Sequence, residues 1–160
     1  MLYINHLFFS VVLFVFSLLF FQFSIWKPEN LIYLVVVLFF SVFPDFDSAN
    51  AKFGRKIQFL KWFFKHRGIL HSLFGMVFVL FVFYILILVL GVSGINNLLL
   101  FGCIGYLSHL IADCLTVRGC ALFFPFSKFR LKGFIKTGSF LEYFLVSFFI
   151  LLTIYFVFNK

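Results

Sequence analysis

From Leu98 to Val117 the chain runs for twenty residues without a lysine or arginine, and most of those residues are apolar. A helix of that length rises about 30 Å, the thickness of a bilayer's hydrocarbon core. Inside the run stands Gly105-Tyr-Leu-Ser-His-Leu-Ile-Ala-Asp-Cys-Leu-Thr116, which sets His109 and Asp113 four residues apart. On a helix this spacing puts both side chains on one face, about one turn apart. An ionised group at the centre of such a span costs about 2.5–3.5 kcal/mol on insertion scales, and intramembrane ionisable residues mark functional sites. The fold must therefore bring partners to this helix.

Composition extends the membrane reading to the whole chain. Of 160 residues, 64% are hydrophobic and 11% charged, against roughly 45–50% and 25% in soluble domains. This excludes an ordinary soluble domain and predicts an all-α integral membrane protein, a single domain over residues 1–160. The 31 phenylalanines are assigned to lipid contact and packing. Cys103, Cys114 and Cys120 form no C-x-x-C pair, so neither a disulfide framework nor a cysteine zinc knuckle is expected.

About five transmembrane helices are expected. The first runs from about Leu7 to Trp26, with Trp26 and Lys27 as an interfacial anchor. No cation precedes it and no A-x-A site follows it, so it reads as a retained span rather than a signal peptide. The second, Leu31 to Phe43, is short and stops at Pro44; it would cross by tilting or by thinning the bilayer. The third starts within His66-Arg-Gly-Ile-Leu-His71 and ends near Leu90, and the fifth runs from Glu142 to Phe158. Between spans two and three, Asn50 to Arg67 interleaves cations with Phe53, Ile57 and Phe63, the pattern of an amphipathic interfacial helix. Leu122-Phe-Phe-Pro-Phe126 either dips into the bilayer or rests on it.

Charge sets the orientation. The loops after spans two and four hold six and five Lys/Arg, eleven of the chain's thirteen. The positive-inside rule then predicts a multi-pass protein with its N-terminus cytoplasmic and its C-terminus outside. Cations at such a surface attract anionic lipid head groups by about 1 kcal/mol each. The interleaved phenylalanines favour lipid over a nucleic acid or a repressor as the loops' partner.

This topology gathers the ionisable groups at one boundary. His6 precedes span one, Asp45 and Asp47 leave span two, His66 and His71 enter span three, and Glu142 opens span five. Asp113 and His109 lie about 6 and 12 Å below the exit of span four at Val117, at about 1.5 Å per residue. All four histidines and every acid except Glu29 thus share a depth near the cytoplasmic face. Imidazole and carboxylate are the ligands that zinc and manganese accept, and this many of them could hold one ion or two. Arg67 cannot ligate a metal but could hold a phosphate or a developing anion. Taken singly, Glu142 also suits the positive N-terminal end of its own helix, and Asp113 could pair with Arg118.

Pro44-Asp-Phe-Asp47, His66-Arg-Gly-Ile-Leu-His-Ser-Leu73 and Gly105-Tyr-Leu-Ser-His-Leu-Ile-Ala-Asp-Cys-Leu-Thr-Val-Arg-Gly119, followed by Pro125-Phe-Ser127, resemble the YdjM-like family. Its members are small membrane proteins described as LexA-binding, inner-membrane-associated, metal-dependent hydrolases. The resemblance runs from His6 to about Glu142. It implies an inner-membrane location and metal ligands at His6, Asp45, Asp47, His66, His71, His109, Asp113 and Glu142. Leu70 and Asn5 stand where the family usually has threonine, each beside a histidine that the resemblance makes a ligand.

Two functions follow from these residues. One is a metal-dependent hydrolase acting on a lipid ester or phosphodiester, with Asp47, His71 and Arg67 as catalytic residues and zinc as the expected ion, manganese as the alternative. The other is a non-catalytic divalent-metal-binding membrane protein: a carrier, sensor or regulatory protein. A carrier should place acids at the midplane or on both sides of the bilayer; here Glu29 alone lies on the far side.

Overall fold

The structure, a computed structural model, describes residues 2–47 and 69–159, and of Asp47 the backbone alone. It contains five helices long and apolar enough to cross a membrane. They are α1 (Tyr3–Phe20), α2 (Glu29–Val42), α3 (Leu73–Leu90), α4 (Ile95–Cys114) and α5 (Phe140–Phe158). Among the described residues there are also two 3-10 turns, Phe43–Asp47 after α2 and Ile69–His71 before α3. Among the described residues there is no strand, only two isolated bridges. The amphipathic segment expected between Asn50 and Arg67 lies outside the described residues.

Helix ends differ from the sequence expectation for local reasons. The first helix stops at Phe20 rather than Trp26. Gln22 adopts a left-handed φ of 59°, and the amides of Gln22 and Phe23 turn back to the carbonyls of Leu19 and Leu18, the Schellman termination. The short second run does not stop at Pro44. Its 3-10 continuation gives an apolar stretch of 18 residues, Glu29–Phe46, because a proline excluded from a continuing α-helix can still enter a tighter turn. Ser72 caps α3, its Oγ accepting from the Gly75 amide at 3.1 Å.

Packing is graded by polarity. The least apolar of the five spans, α4, is the most enclosed, and the most apolar, α3, is largely exposed. In lipid this order is required, because polar side chains must face the bundle interior. The main contact is α2 against α4. A Cβ at Gly105 would strike the Val37 backbone, so the small residue lets two helices cross closely, as at other membrane interfaces. Around this crossing Phe14, Leu18, Val37 and Phe101 form one core cluster, and Phe40, Leu70, Tyr106 and Leu110 belong to another. α1 packs on α2, α4 and α5.

The segment after α4 folds back over the helix end. Val117 N–H donates to Ile135 O, and Cys120 and Leu131 exchange two backbone bonds, all at 3.0 Å. Leu73 N–H donates to Leu122 O at 2.9 Å and ties this cover to α3. Cys114 and Cys120 are joined by a disulfide, where no disulfide framework was expected. Their spacing carries no familiar motif; the turn through Gly119, with φ 64°, brings the two Cα atoms to 5.1 Å. Phe123 and Phe126 are exposed, and Phe126 lies edge-on to Phe74 in the first turn of α3.

Candidate metal centre

Because successive spans alternate in direction, one end of the bundle collects the start of α1, the turn after α2, the turn before α3 and the last turns of α4. Those positions carry His6, Asp45, His71, His109 and Asp113. All but Asp45 are at most 4% exposed.

His109 fixes the chemistry of the cluster. Its Nδ1 lies 2.7 Å from the carbonyl oxygen of Ser41. A carbonyl only accepts, so Nδ1 carries the hydrogen and Nε2 presents a lone pair. That Nε2 is buried without a hydrogen-bond partner, 3.9 Å from both Asp45 Oδ1 and Asp113 Oδ2. His71 Nε2 stands 3.4 Å from Asp45 Oδ1 and 3.7 Å from Asp113 Oδ2. His6 Nε2 is 3.5 Å from Asp113 Oδ1, and its ring stacks on His109 with centroids 4.5 Å apart.

These separations suit donors gathered around an ion. Ligands of a tetrahedral metal at about 2.0–2.2 Å stand about 3.3–3.6 Å from one another. The contacts of 3.4 to 3.9 Å overlap that range at their short end and exceed the roughly 2.7–3.2 Å of an ordinary N–H···O bond. Donor atoms of His6, Asp45 and His109 all lie within 4.8 Å of one another, as do those of His71, His109 and Asp113. His109 belongs to both groups, so the cluster offers one ion shared donors or two ions a common neighbour. Two carboxylates carry two negative charges into a largely buried space, and a divalent cation held by the cluster would balance them. The donors are nitrogen and oxygen throughout, a set that zinc and manganese both accept.

Neighbouring groups hold these side chains in place. Tyr106 Oη donates to Leu70 O at 2.6 Å, fastening the His71 turn to α4. Ser72 Oγ donates to Ile69 O at 2.6 Å and closes the same turn.

The structure does not bring every candidate together. Glu142 is fully buried, and its Oε1 accepts from the Leu2 amide at 2.8 Å and from Asn5 Nδ2 at 2.6 Å. Its Oε2 accepts from the Gly138 amide at 2.7 Å. This carboxylate clamps the start of α1 to the start of α5, and it is absent from both groups of converging donors. The side chain of Asp47, and His66 and Arg67 entire, lie outside the described residues. Sequence reasoning did not reach Ser41, whose contribution is a backbone carbonyl that no residue pattern encodes. Asn5 drew notice as a departure beside His6, without its link to Glu142.

Comparison with known proteins places the chain. Over 107 residues it is 37% identical to YvsG of Bacillus subtilis (strain 168), a match covering 64% of this chain and 63% of that protein. Over 114 residues it is 32% identical to inner membrane protein YdjM of Escherichia coli (strain K12), covering 64% of this chain and 55% of that protein. The YdjM of Shigella flexneri matches to the same extent. The chain thus spans 55–63% of the length of these curated relatives. No solved structure matches it. A model of one family, the YdjM inner membrane protein, matches residues 1–159, and the chain belongs to that family.

Proposed function

We propose that this protein is a membrane-bound, metal-dependent hydrolase that cleaves a lipid ester or phosphodiester at the cytoplasmic face of the inner membrane. The observation that carries the reading is a set of five nitrogen and oxygen donors at one membrane boundary, closed on all sides except at Asp45. Four of the donor side chains are 1–4% exposed, while the Asp45 side chain is 29% exposed. Structural metal sites are closed; catalytic ones keep an open position. His6, Asp45, His71, His109 and Asp113 are the residues that would hold the ion. When bound, a divalent ion supplies Lewis acidity and makes water a better nucleophile near neutral pH.

The chain's own groups supply the rest. The Ser41 carbonyl keeps the His109 Nε2 lone pair turned into the site. The enclosed rings of His6 and His109 exclude bulk water from the inner wall. Asp45, at the open edge, has a second carboxylate oxygen and is the group placed to take the proton that water gives up and return it to the departing alcohol oxygen. The cations on the loops after α2 and α4 would draw anionic head groups toward this face, and by the positive-inside rule they support a cytoplasmic location for it.

The test is metal analysis of purified protein together with turnover of phospholipid and phosphodiester substrates. Stoichiometric zinc or manganese, chelator-sensitive hydrolysis, and loss of both in Asp113→Asn and His71→Ala are the expected results. A folded wild type that takes up no divalent metal overturns the reading. Metal flux in liposomes without hydrolysis replaces it with a carrier.

A further inference from the structure

Beside the cluster lies a groove of about 320 Å³ between α2 and α3. Its volume is in the range of small-molecule pockets, yet every residue that lines it is a phenylalanine, leucine or valine. On α3 the lining follows helical spacing through Phe78, Val82 and Leu86, each about half exposed. Those positions span about 12 Å of helix, at about 1.5 Å per residue. The opposite wall is a row of rings that reaches Phe43 and Phe46, whose centroids are 5.5 Å apart. Leu70 closes the end nearest the cluster.

That end identifies the occupant. Phe46 follows Asp45 directly, and Leu70 directly precedes His71. The groove therefore runs from the open edge of the polar cluster toward the middle of the bilayer, between two helices that are themselves candidate spans. A molecule that fits both parts has a long apolar tail and a polar group at its end. A water-soluble phosphodiester would leave the groove unused, and a packed helix would leave the cluster unserved.

We propose that this groove binds one acyl chain of a membrane lipid and so presents the lipid's ester or phosphodiester group at Asp45. The inference rests on the hydrolytic reading for its purpose but not for its test. The full chain is reconstituted in vesicles of phosphatidylethanolamine and phosphatidylglycerol that contain a phosphatidylglycerol with a diazirine in its acyl tail. After irradiation, labelled peptides are mapped by mass spectrometry. Labelling across residues 78–86 should exceed several-fold that of the α5 surface at Phe148, which is similarly exposed, and at Leu151, which is more so. Val82→Trp and Leu86→Trp, at exposed positions that tolerate a larger side chain, should each reduce it to the α5 level. Asp113→Asn should leave it unchanged. Equal labelling of α3 and α5, or insensitivity to both tryptophans, overturns the proposal, as does capture of the groove by residues 48–68 of the same chain. Specific labelling without turnover of any lipid upholds the groove and removes the hydrolytic reading.

Discussion

Two buried carboxylates at the same end of this molecule, Asp113 and Glu142, meet opposite kinds of partner. Glu142 accepts from three N–H groups, two of them backbone, and its charge is met by donors that cannot leave. Asp113 instead faces the ring nitrogens of His6, His71 and His109 at 3.5 to 3.9 Å, groups that can turn a lone pair toward an ion. Replacement should separate the two roles. Glu142→Gln sets an amide against an N–H donor and loses a charge-assisted bond, so thermal melting in detergent should show a loss of about 1.5–3 kcal/mol. Its metal content should not change. Asp113→Asn should abolish stoichiometric metal, read by elemental analysis, while the helices still form. If Glu142→Gln loses the metal while remaining folded, Glu142 is a ligand after all. Position along the chain could tell that both acids lie near one boundary, because depth follows from helix rise. It could not tell them apart, since the partners of Glu142 are mostly backbone amides and those of Asp113 come from two other elements as well as from its own helix.

At the scale of elements, α4 does two jobs with one face. Gly105 and Tyr106 lie within a turn or so of His109, and they set the distances to α2 and to the His71 turn. Gly105→Val would push its side chain into the Val37 backbone. The expected overpacking cost is about 1–3 kcal/mol, and the displacement of α2 would carry Asp45 with it. Tyr106→Phe is milder. It removes the bond to the Leu70 carbonyl, and a lost outer-shell partner typically weakens metal binding by about 10–100-fold. Titration of metal into stripped protein should rank wild type above Tyr106→Phe and Tyr106→Phe above Gly105→Val; the reverse order for the two variants would mean that helix separation does not set the site. The presence and order of the five helices were legible because apolar length is a strong signal in a chain this poor in charge. Their ends were less so. A non-glycine residue at a left-handed position, Gln22, ends α1 without announcing itself, and Pro44 reads as a stop until the 3-10 turn that absorbs it is seen.

The whole molecule poses a question of sidedness that the cysteines can answer. By the positive-inside rule, the distribution of Lys and Arg would put the loops after α2 and α4, and with them the donor cluster, in the cytoplasm. Cys114 and Cys120 lie on that same face, and they are bonded to each other. Disulfides persist in oxidising compartments and are rare in a reducing cytoplasm. The positive-inside orientation thus predicts that in growing cells the pair is a dithiol, able to close when the membrane is exposed to oxidant. A membrane-permeant maleimide added to intact cells should modify the partly exposed Cys114, and an impermeant maleimide should not do so until the membrane is opened. Cys103, within α4, serves as the control within the membrane. If Cys114 instead resists the permeant reagent and reacts with an impermeant one only after external reductant is added, the basic loops lie outside. The proposed cytoplasmic substrate then fails with the orientation, although the cluster and its donors stand as they are.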